Sequence, residues 1–341
     1  MEKNTRVKAR VKAHALKEFM NTKEKVVVMG HRLPDADSFG AAIGIYRAAK
    51  TLNKKAYIVI DNPTSSIIPL MNTFRDNQDY EADMFVNNHE AKEIMDDNTL
   101  LVVVDTNKPS ITQCEDLLYM AKMIVVLDHH RQGSDTIRNS VLSYIEPYAS
   151  SASEMVAEIL QYFTEGIRIR NVEADSIYAG IMIDTDNFMQ KTGVRTFEAA
   201  AFLRRCGADV TRVRKLFRED MNDYKARGET IRNAELFRGQ FAISECPSDY
   251  VDSPTVVGAQ AANELLNIVG VKASFVLTEY KGVIYISARA IDEVNVQIIM
   301  ERMGGGGHLN MAGCQLETVN MEEARNLLKS TLTEMQDGGE I

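Results

Sequence analysis

The chain has 341 residues, 45% of them apolar and 26% charged, with a formal net charge of −9. That length accommodates two domains with separate cores, and the acidic balance argues against general binding of long nucleic acid, which needs a basic face. No apolar run approaches the ~20 residues that cross a bilayer, the N-terminus is too polar for a signal peptide, and Cys114, Cys206, Cys246 and Cys314 show no CxxC spacing, so neither a disulfide framework nor a zinc ribbon is suggested.

From Met1 to Lys25 there are eight Lys/Arg against three Glu, read as a linker helix or tail over 1–24. The first apolar β-type run, Val26-Val27-Val28-Met29, leads into Gly30 and His31, with Asp35 and Asp37 just beyond. Ser38 then serves as N-cap for a helix whose Phe39, Ala42, Ile43 and Tyr46 follow i, i+3, i+4, i+7 spacing, with Gly40 allowing close packing. Ala56 to Ile60 reads as a second strand, and 62–80 fits no single pattern. Leu100 to Val104 ends in Asp105, and Met123 to Leu127 ends in Asp128-His129-His130. Ser150, Ser151 and Ser153 read as caps of a helix with Met155, Val156, Ile159, Leu160 and Phe163 inward. Ile177 to Ile183, taken as another strand, ends in Asp184-Thr185-Asp186. A helix from Thr196 to Cys206 stops at Gly207.

Between Arg204 and Arg238 ten Lys/Arg stand against six acids, within a helical connection over 191–239. The second domain, 240–336, opens with a strand from Phe241 to Ser244. Ser274 to Glu279 and Val283 to Ala288 form a hairpin around Tyr280-Lys281-Gly282. Helices over 257–269 and 295–303 cover that sheet, the latter with a buried stripe of Val296, Ile299, Met300 and Met303.

Asp after a strand is commonly a turn former or a helix cap. Its recurrence with histidine at four apolar ends is what points to a metal site. In an open α/β sheet the carboxyl ends of parallel strands face one crevice, so His31, Asp35, Asp37, Asp105, His129 and Asp184 are expected to converge there. Carboxylates with imidazole and no thiolate suit Mn²⁺ or Mg²⁺. Six ligands exceed the needs of one ion and suit a pair about 3.5–4 Å apart, with the solitary Asp105 as bridge. Gly304 to Gly307 precede His308, and four glycines inside a folded domain let backbone N–H groups approach phosphate. Arg289 offers a planar fork for the same anion.

The segments His31-x-x-x-Asp35-x-Asp37, Val-Val-Val-Asp105, Asp128-His129-His130 and Asp184-Thr185-Asp186, followed by Gly304-Gly305-Gly306-Gly307-His308, closely resemble the DHH phosphoesterase superfamily. Ser287-Ala288-Arg289 and the late glycine-histidine element resemble its associated substrate-binding domain. Within the superfamily, Met29 to Gly40 is most similar to the catalytic part of GdpP-type cyclic-di-AMP phosphodiesterases. The resemblance implies an α/β fold: a catalytic domain over 25–190 with a mainly parallel sheet flanked by helices, and a smaller α/β substrate-binding domain. It implies two divalent ions, Mn²⁺ ahead of Mg²⁺ or Co²⁺, one held by His31, Asp35 and Asp105 and the other by Asp37, Asp105, His129 and Asp184. A bridging hydroxide would open cyclic-di-AMP to linear pApA, with His130 donating a proton to the leaving 3′ oxygen or binding phosphate. Arg289, Gly305, Gly306, Gly307 and His308 would hold phosphate; with no Trp in the chain, Phe188, next to Asn187, is the candidate to stack on adenine, a core Phe being the alternative reading. The expected alternatives are a hydrolase of short linear oligonucleotides, an adenosine bisphosphate phosphatase, a family-II pyrophosphatase or a catalytically dead nucleotide sensor. The chain is expected to be a cytoplasmic, homodimeric fragment without membrane contact, cut from a membrane-anchored protein.

Overall fold

In the computed structural model the described residues are 2–218, 220–291, 294–317 and 319–341. The chain divides into two compact units, Met1–Arg218 and Glu219–Ile341.

The first unit opens with α1 (Glu2–Asn21) and β1 (Lys25–Met29), followed by α2 (Ala36–Thr51), β2 (Lys55–Val59), α3 (Ile68–Arg75), β3 (Phe85–Val86), α4 (Asn88–Ile94), β4 (Thr99–Val104), α5 (Asp116–Met120), β5 (Ile124–Asp128) and β6 (Leu142–Ile145). It closes with four helices: α6 (Ala152–Phe163), α7 (Asn171–Asp184), α8 (Val194–Arg205) and α9 (Val210–Leu216). The six strands form one sheet in the order β3-β2-β1-β4-β5-β6, every pair parallel. All six residues of β4 are buried. A parallel sheet covered on both faces has no solvent side, which is why its strands read as unbroken apolar runs.

Alternate strand residues serve opposite faces. Val26, Val28, Leu100, Val102 and Val104 join the core formed with α1, α2, α6 and α7, whereas Val27, Met29, Leu101 and Val103 pack with Ala91 of α4 and Leu117 and Leu118 of α5. From β1 the sheet grows outward through β2 and β3, and from β4 it grows the other way through β5 and β6. The order therefore reverses between β1 and β4, and a crevice opens at their carboxyl ends.

Three sequence expectations change here. The helix expected over 1–24 is present as α1, and it packs into the first unit rather than lying free as a tail. Ala9, Ala13, Leu16 and Met20 of α1 are buried, an i, i+4, i+7, i+11 stripe that faces the core beside α6. Lys12 Nζ donates to the Ser143 carbonyl at 2.8 Å, which ties α1 to the edge strand β6. Second, Ile177 to Ile183 is the later half of α7, not a strand. That helix is buried on nearly every side, and a helix apolar all round imitates a buried strand in sequence. Third, the stretch 191–239 is not a separate connection, because α8 and α9 belong to the first unit and the division falls at 218/219.

The second unit contains α10 (Met221–Arg232), β7 (Glu235–Phe237), β8 (Phe241–Cys246), α11 (Pro254–Leu265), β9 (Ala273–Tyr280), β10 (Val283–Ala290), α12 (Val296–Arg302), β11 (Gly306–His308), β12 (Met311–Leu316) and α13 (Met321–Asp337). Its sheet runs β11-β12-β10-β9-β8-β7, with β8 and β9 parallel and the other pairs antiparallel. The expected hairpin is present, with Val283 opposite Tyr280 and positive φ at Lys281 (52°) and Gly282 (77°), as a two-residue turn matched to strand twist requires. α12 and α13 pack on one face and α10 and α11 on the other.

The glycine run is partly strand. A Cβ at Gly305 would lie 2.1 Å from the Gly313 carbonyl oxygen, and one at Gly307 would lie 2.4 Å from the Ala312 Cα. Backbone contact with β12 thus demands glycine at both places. Among the described residues no helix is long and apolar enough to cross a membrane.

Candidate metal centre

The six residues expected to converge do so at the carboxyl ends of β1, β4 and β5. Asp35 is the N-cap of α2; its Oδ1 accepts from the Ser38 N–H at 2.9 Å, so Asp35 takes the capping role expected of Ser38. The shift by three residues, about one helical turn, follows from geometry. The cap residue must be extended, as Asp35 is, while Ser38 already lies within the helix. The second Asp35 oxygen faces His31 Nε2 at 3.6 Å.

Asp37 sits in the first turn of α2 and is 2% exposed. Its two oxygens accept from the N–H groups of Ala152 (2.7 Å) and Ser153 (2.8 Å), at the start of α6, where Ser151 is the N-cap. A carboxylate at a helix N-terminus satisfies otherwise orphaned donors and complements the helix dipole. Gly40 permits this junction, since a Cβ there would lie 2.6 Å from the Ser176 carbonyl of α7 and 2.7 Å from Ser153 Oγ.

Asp105 joins the two halves of the cluster. Its Oδ2 lies 3.3 Å from His31 Nε2 and its Oδ1 lies 3.3 Å from His129 Nε2. His129 Nε2 is also 3.7 Å from Asp37 Oδ2 and 3.7 Å from Asp184 Oδ2. Two groups have candidate ligand atoms all within 4.8 Å of one another: His31, Asp35 and Asp105, and Asp37, His129 and Asp184. A third group, Asp105, His129 and His130, overlaps them. Among the described residues Asp105 Oδ1 and Asp184 Oδ2 are buried with no hydrogen-bond partner. Buried carboxylate oxygens normally have donors, and a divalent cation supplies what the protein does not. The residues therefore fit a pair of hard cations, with oxygen and imidazole donors and no thiolate.

The electrostatics agree with that fit. Burial, reinforced by Asp105 and Asp184, pushes Asp37 well above the usual carboxylate range. Burial likewise raises Asp184, against the attraction of His129. Burial disfavours the charged form of His31, but its hydrogen bonds to Asp105 and Asp35 outweigh this and raise it to about 10. At His129 burial is outweighed by Asp105, Asp37 and Asp184, which raise it to about 9. For Asp35, burial is outweighed by His31, which holds its carboxyl below the ordinary range. Without cations the two imidazoles and the Asp37 and Asp184 carboxyls thus hold their protons more tightly than usual, as burial beside other carboxylates dictates.

Strain marks the same place. Asp105 has φ of +58°, and Asp186, Asn187 and Phe188, just past Asp184, have φ of +47°, +57° and +65°. Non-glycine residues held there cost of order 1–3 kcal/mol each and cluster at functional sites. Phe188 is half-buried, its ring 5.9 Å from that of Phe197 and 5.6 Å from that of Tyr178, so its aromatic contacts are largely taken up within the fold. Asn187 is exposed.

His130 is 57% exposed at its side chain, with Nδ1 2.8 Å from Asp128 Oδ1. Asp128 is fully buried and also accepts from the His130 N–H (3.2 Å) and from Asn107 Nδ2. Sequence reading picked out Asp128-His129-His130 but gave no part to Asn107. Its one signal there is a place two residues after Asp105.

In the second unit, Arg289, Met311 and His308 are directly opposed across β10, β12 and β11, which sets all three on one face of the sheet. Among the described residues Arg289 Nε is buried without a partner, Nη1 donates to the Ala288 carbonyl at 2.9 Å, and burial lowers the guanidinium.

Comparison with known proteins gives this geometry its family. Residues 25–181 match the DHH family, N-terminal domain, and residues 241–334 match the DHHA1 domain. The chain carries a DHH domain followed by a DHHA1 domain. Its DHH domain holds the whole candidate metal cluster except Asp184, which lies three residues beyond the match. Arg289 and His308 lie in the DHHA1 domain. One relative of this DHH chain is the cyclic-di-AMP phosphodiesterase GdpP of Bacillus subtilis (strain 168), 44% identical over 99% of the chain and 52% of that protein. Another is the bifunctional oligoribonuclease and PAP phosphatase NrnA of Thermus thermophilus, 24% identical over 92% of the chain and 91% of that protein. A solved exopolyphosphatase-related protein from Bacteroides fragilis shares the fold, with a TM-score of 0.78 at 20% identity, covering 96% of this chain and 97% of its own. The chain spans about half the length of the GdpP relative.

Proposed function

We propose that this chain is a divalent-metal-dependent phosphodiesterase that hydrolyses cyclic-di-AMP to linear pApA. The observation that carries the catalytic part is Asp105, whose two oxygens face separate groups of candidate ligands. The substrate class is supported by the 44% identity to a cyclic-di-AMP phosphodiesterase.

His31, Asp35 and Asp105 would hold one ion and Asp37, Asp105, His129 and Asp184 the other, Mn²⁺ being our first choice ahead of Mg²⁺ or Co²⁺. Two such ions supply Lewis acidity at phosphorus and make water a competent nucleophile near neutral pH. The protein's own part is to position and to move protons. Asp37, anchored to the start of α6, and Asp35, anchored as the cap of α2, keep their carboxylates from turning away. Water adds to phosphorus, the bond to the 3′ oxygen breaks, and a protonated His130 donates through Nε2 to that oxygen. The proton lost by water balances the one gained by the leaving group. Arg289 and His308, with the backbone of Gly305, Gly306 and Gly307, are our candidates for a phosphate contact, and Asn187, beside Phe188, for a contact to adenine.

The test is product analysis with the full 341-residue chain, Mn²⁺ and, in parallel, cyclic-di-AMP, pApA and pyrophosphate, with chelated controls. Metal-dependent accumulation of pApA from the cyclic substrate is expected. Faster conversion of pApA to AMP would instead place the chain with linear-oligonucleotide hydrolases, and turnover of pyrophosphate alone would overturn both readings. Unchanged nucleotide despite tight binding would make it a sensor.

A further inference from the structure

We infer that Asn107 is a positioning residue for proton transfer: it locks the Asp128 carboxylate and, through it, the imidazole of His130. This rests on the proposed role of His130. Asn107 is 2% exposed, and its Nδ2 donates to Asp128 Oδ2 while lying 3.4 Å from the His130 carbonyl oxygen. Among the described residues its Oδ1 is buried with no partner. An unpaired buried amide oxygen is a stability cost, so the amide's contribution lies in the donor that reaches Asp128. The turned-over amide would set oxygen against oxygen, which fixes its orientation.

The consequences run along the chain of contacts. Asp128 has one oxygen held by Asn107 and the other facing the N–H and Nδ1 of His130. With Oδ2 occupied, the carboxylate is held against rotation, and Asp128 Oδ1 stays the acceptor within hydrogen-bond distance of His130 Nδ1 (2.8 Å), the Asp105 Oδ1 lying farther off at 3.7 Å. Nε2 is then the nitrogen left to face solvent or a leaving group. Asn107 also joins the turn after β4, which carries Asp105, to the turn after β5, which carries His129 and His130. It is neutral, so it constrains Asp128 without competing with the imidazole for its charge. The Asn107 backbone carbonyl separately accepts from the Ile137 N–H at 2.9 Å, a bond that any side chain at 107 preserves.

The experiment compares two phosphodiesters with Asn107→Leu, Asn107→Ser, His130→Ala and the Asn107→Leu/His130→Ala double variant in the full chain. Cyclic-di-AMP has a poor leaving group that needs a proton, whereas bis(p-nitrophenyl) phosphate has one that does not. Asn107→Leu should lower kcat for the cyclic substrate about 10–100-fold, the usual effect of a residue that orients a reacting group, with KM and Mn²⁺ content unchanged. Hydrolysis of the p-nitrophenyl ester should fall less than about threefold, because proton donation does not limit it. The double variant should match His130→Ala within about twofold, since both changes disable one device. Equal losses on the two esters, multiplicative effects in the double variant, or loss of metal would each overturn the inference. Should Asn107→Leu fail to fold, Asn107→Ser reads the same ratio. Equal loss on both esters in His130→Ala alone would instead remove His130 as proton donor, while the double variant still decides whether Asn107 acts through it.

Discussion

At the scale of single residues, Asp105 is where fold and chemistry meet. It follows directly on the central strand β4, adopts a backbone conformation that disfavours side chains, and directs one oxygen to each ligand group. Asp105→Ala should abolish turnover and lower bound Mn²⁺, measured together by activity and elemental analysis; near-normal activity would remove Asp105 from the bridge. His308 lies in the second unit, where we propose that it contacts phosphate. His308→Ala should raise KM with metal content intact, and loss of metal would contradict its proposed role. Asp105 was legible because a lone acid at the end of five apolar residues stands out. Asn107 was not, because a polar residue in a turn is ordinary until its burial and its partner are known.

Among the elements, α1 and α6 show how packing supports the centre from a distance. α6 presents its first N–H groups to Asp37, and α1 lies against α6 with Leu16 fully buried. Leu16→Ala should cost about 2–5 kcal/mol, read as a lower urea midpoint for the first unit. An unchanged midpoint would mean that α1 is dispensable. In the second unit, Gly305→Ala sets a methyl group 2.1 Å from a backbone carbonyl, so it should weaken thermal stability while leaving Mn²⁺ content unaltered. The strands ending at His31, Asp105 and Asp128 were recognisable from their continuous apolar character. α7 was mistaken because full burial erases the 3.6-residue periodicity that separates a helix from a strand.

For the molecule as a whole, pH and metal binding are linked through the cluster. His31 and His129 titrate near 10 and 9 in the metal-free site, above the ordinary 6.5, and Asp37 and Asp184 are raised as well. A raised native pKa means that the folded chain holds more protons than the unfolded one, so the histidines' contribution is complete below about 6.5 and is lost as pH rises toward 9–10. The carboxylates act in the same direction from about 3.8 upward. Metal-free Tm should therefore fall between pH 7 and 9.5, while the gain in Tm from saturating Mn²⁺ should grow, because binding releases those protons. A pH-independent gain would show that the ions bind elsewhere. The sequence alone determined the two-domain α/β character, the parallel strands and six candidate ligands, because apolar runs and their terminal acids are local patterns. Tertiary structure decided the rest: that α1 belongs to the core, that α7 is a helix, where the units divide, that glycines 305 and 307 serve close backbone contact, and that Asn107 reaches Asp128. Each of these depends on which distant segment lies opposite, and local sequence carries no record of that.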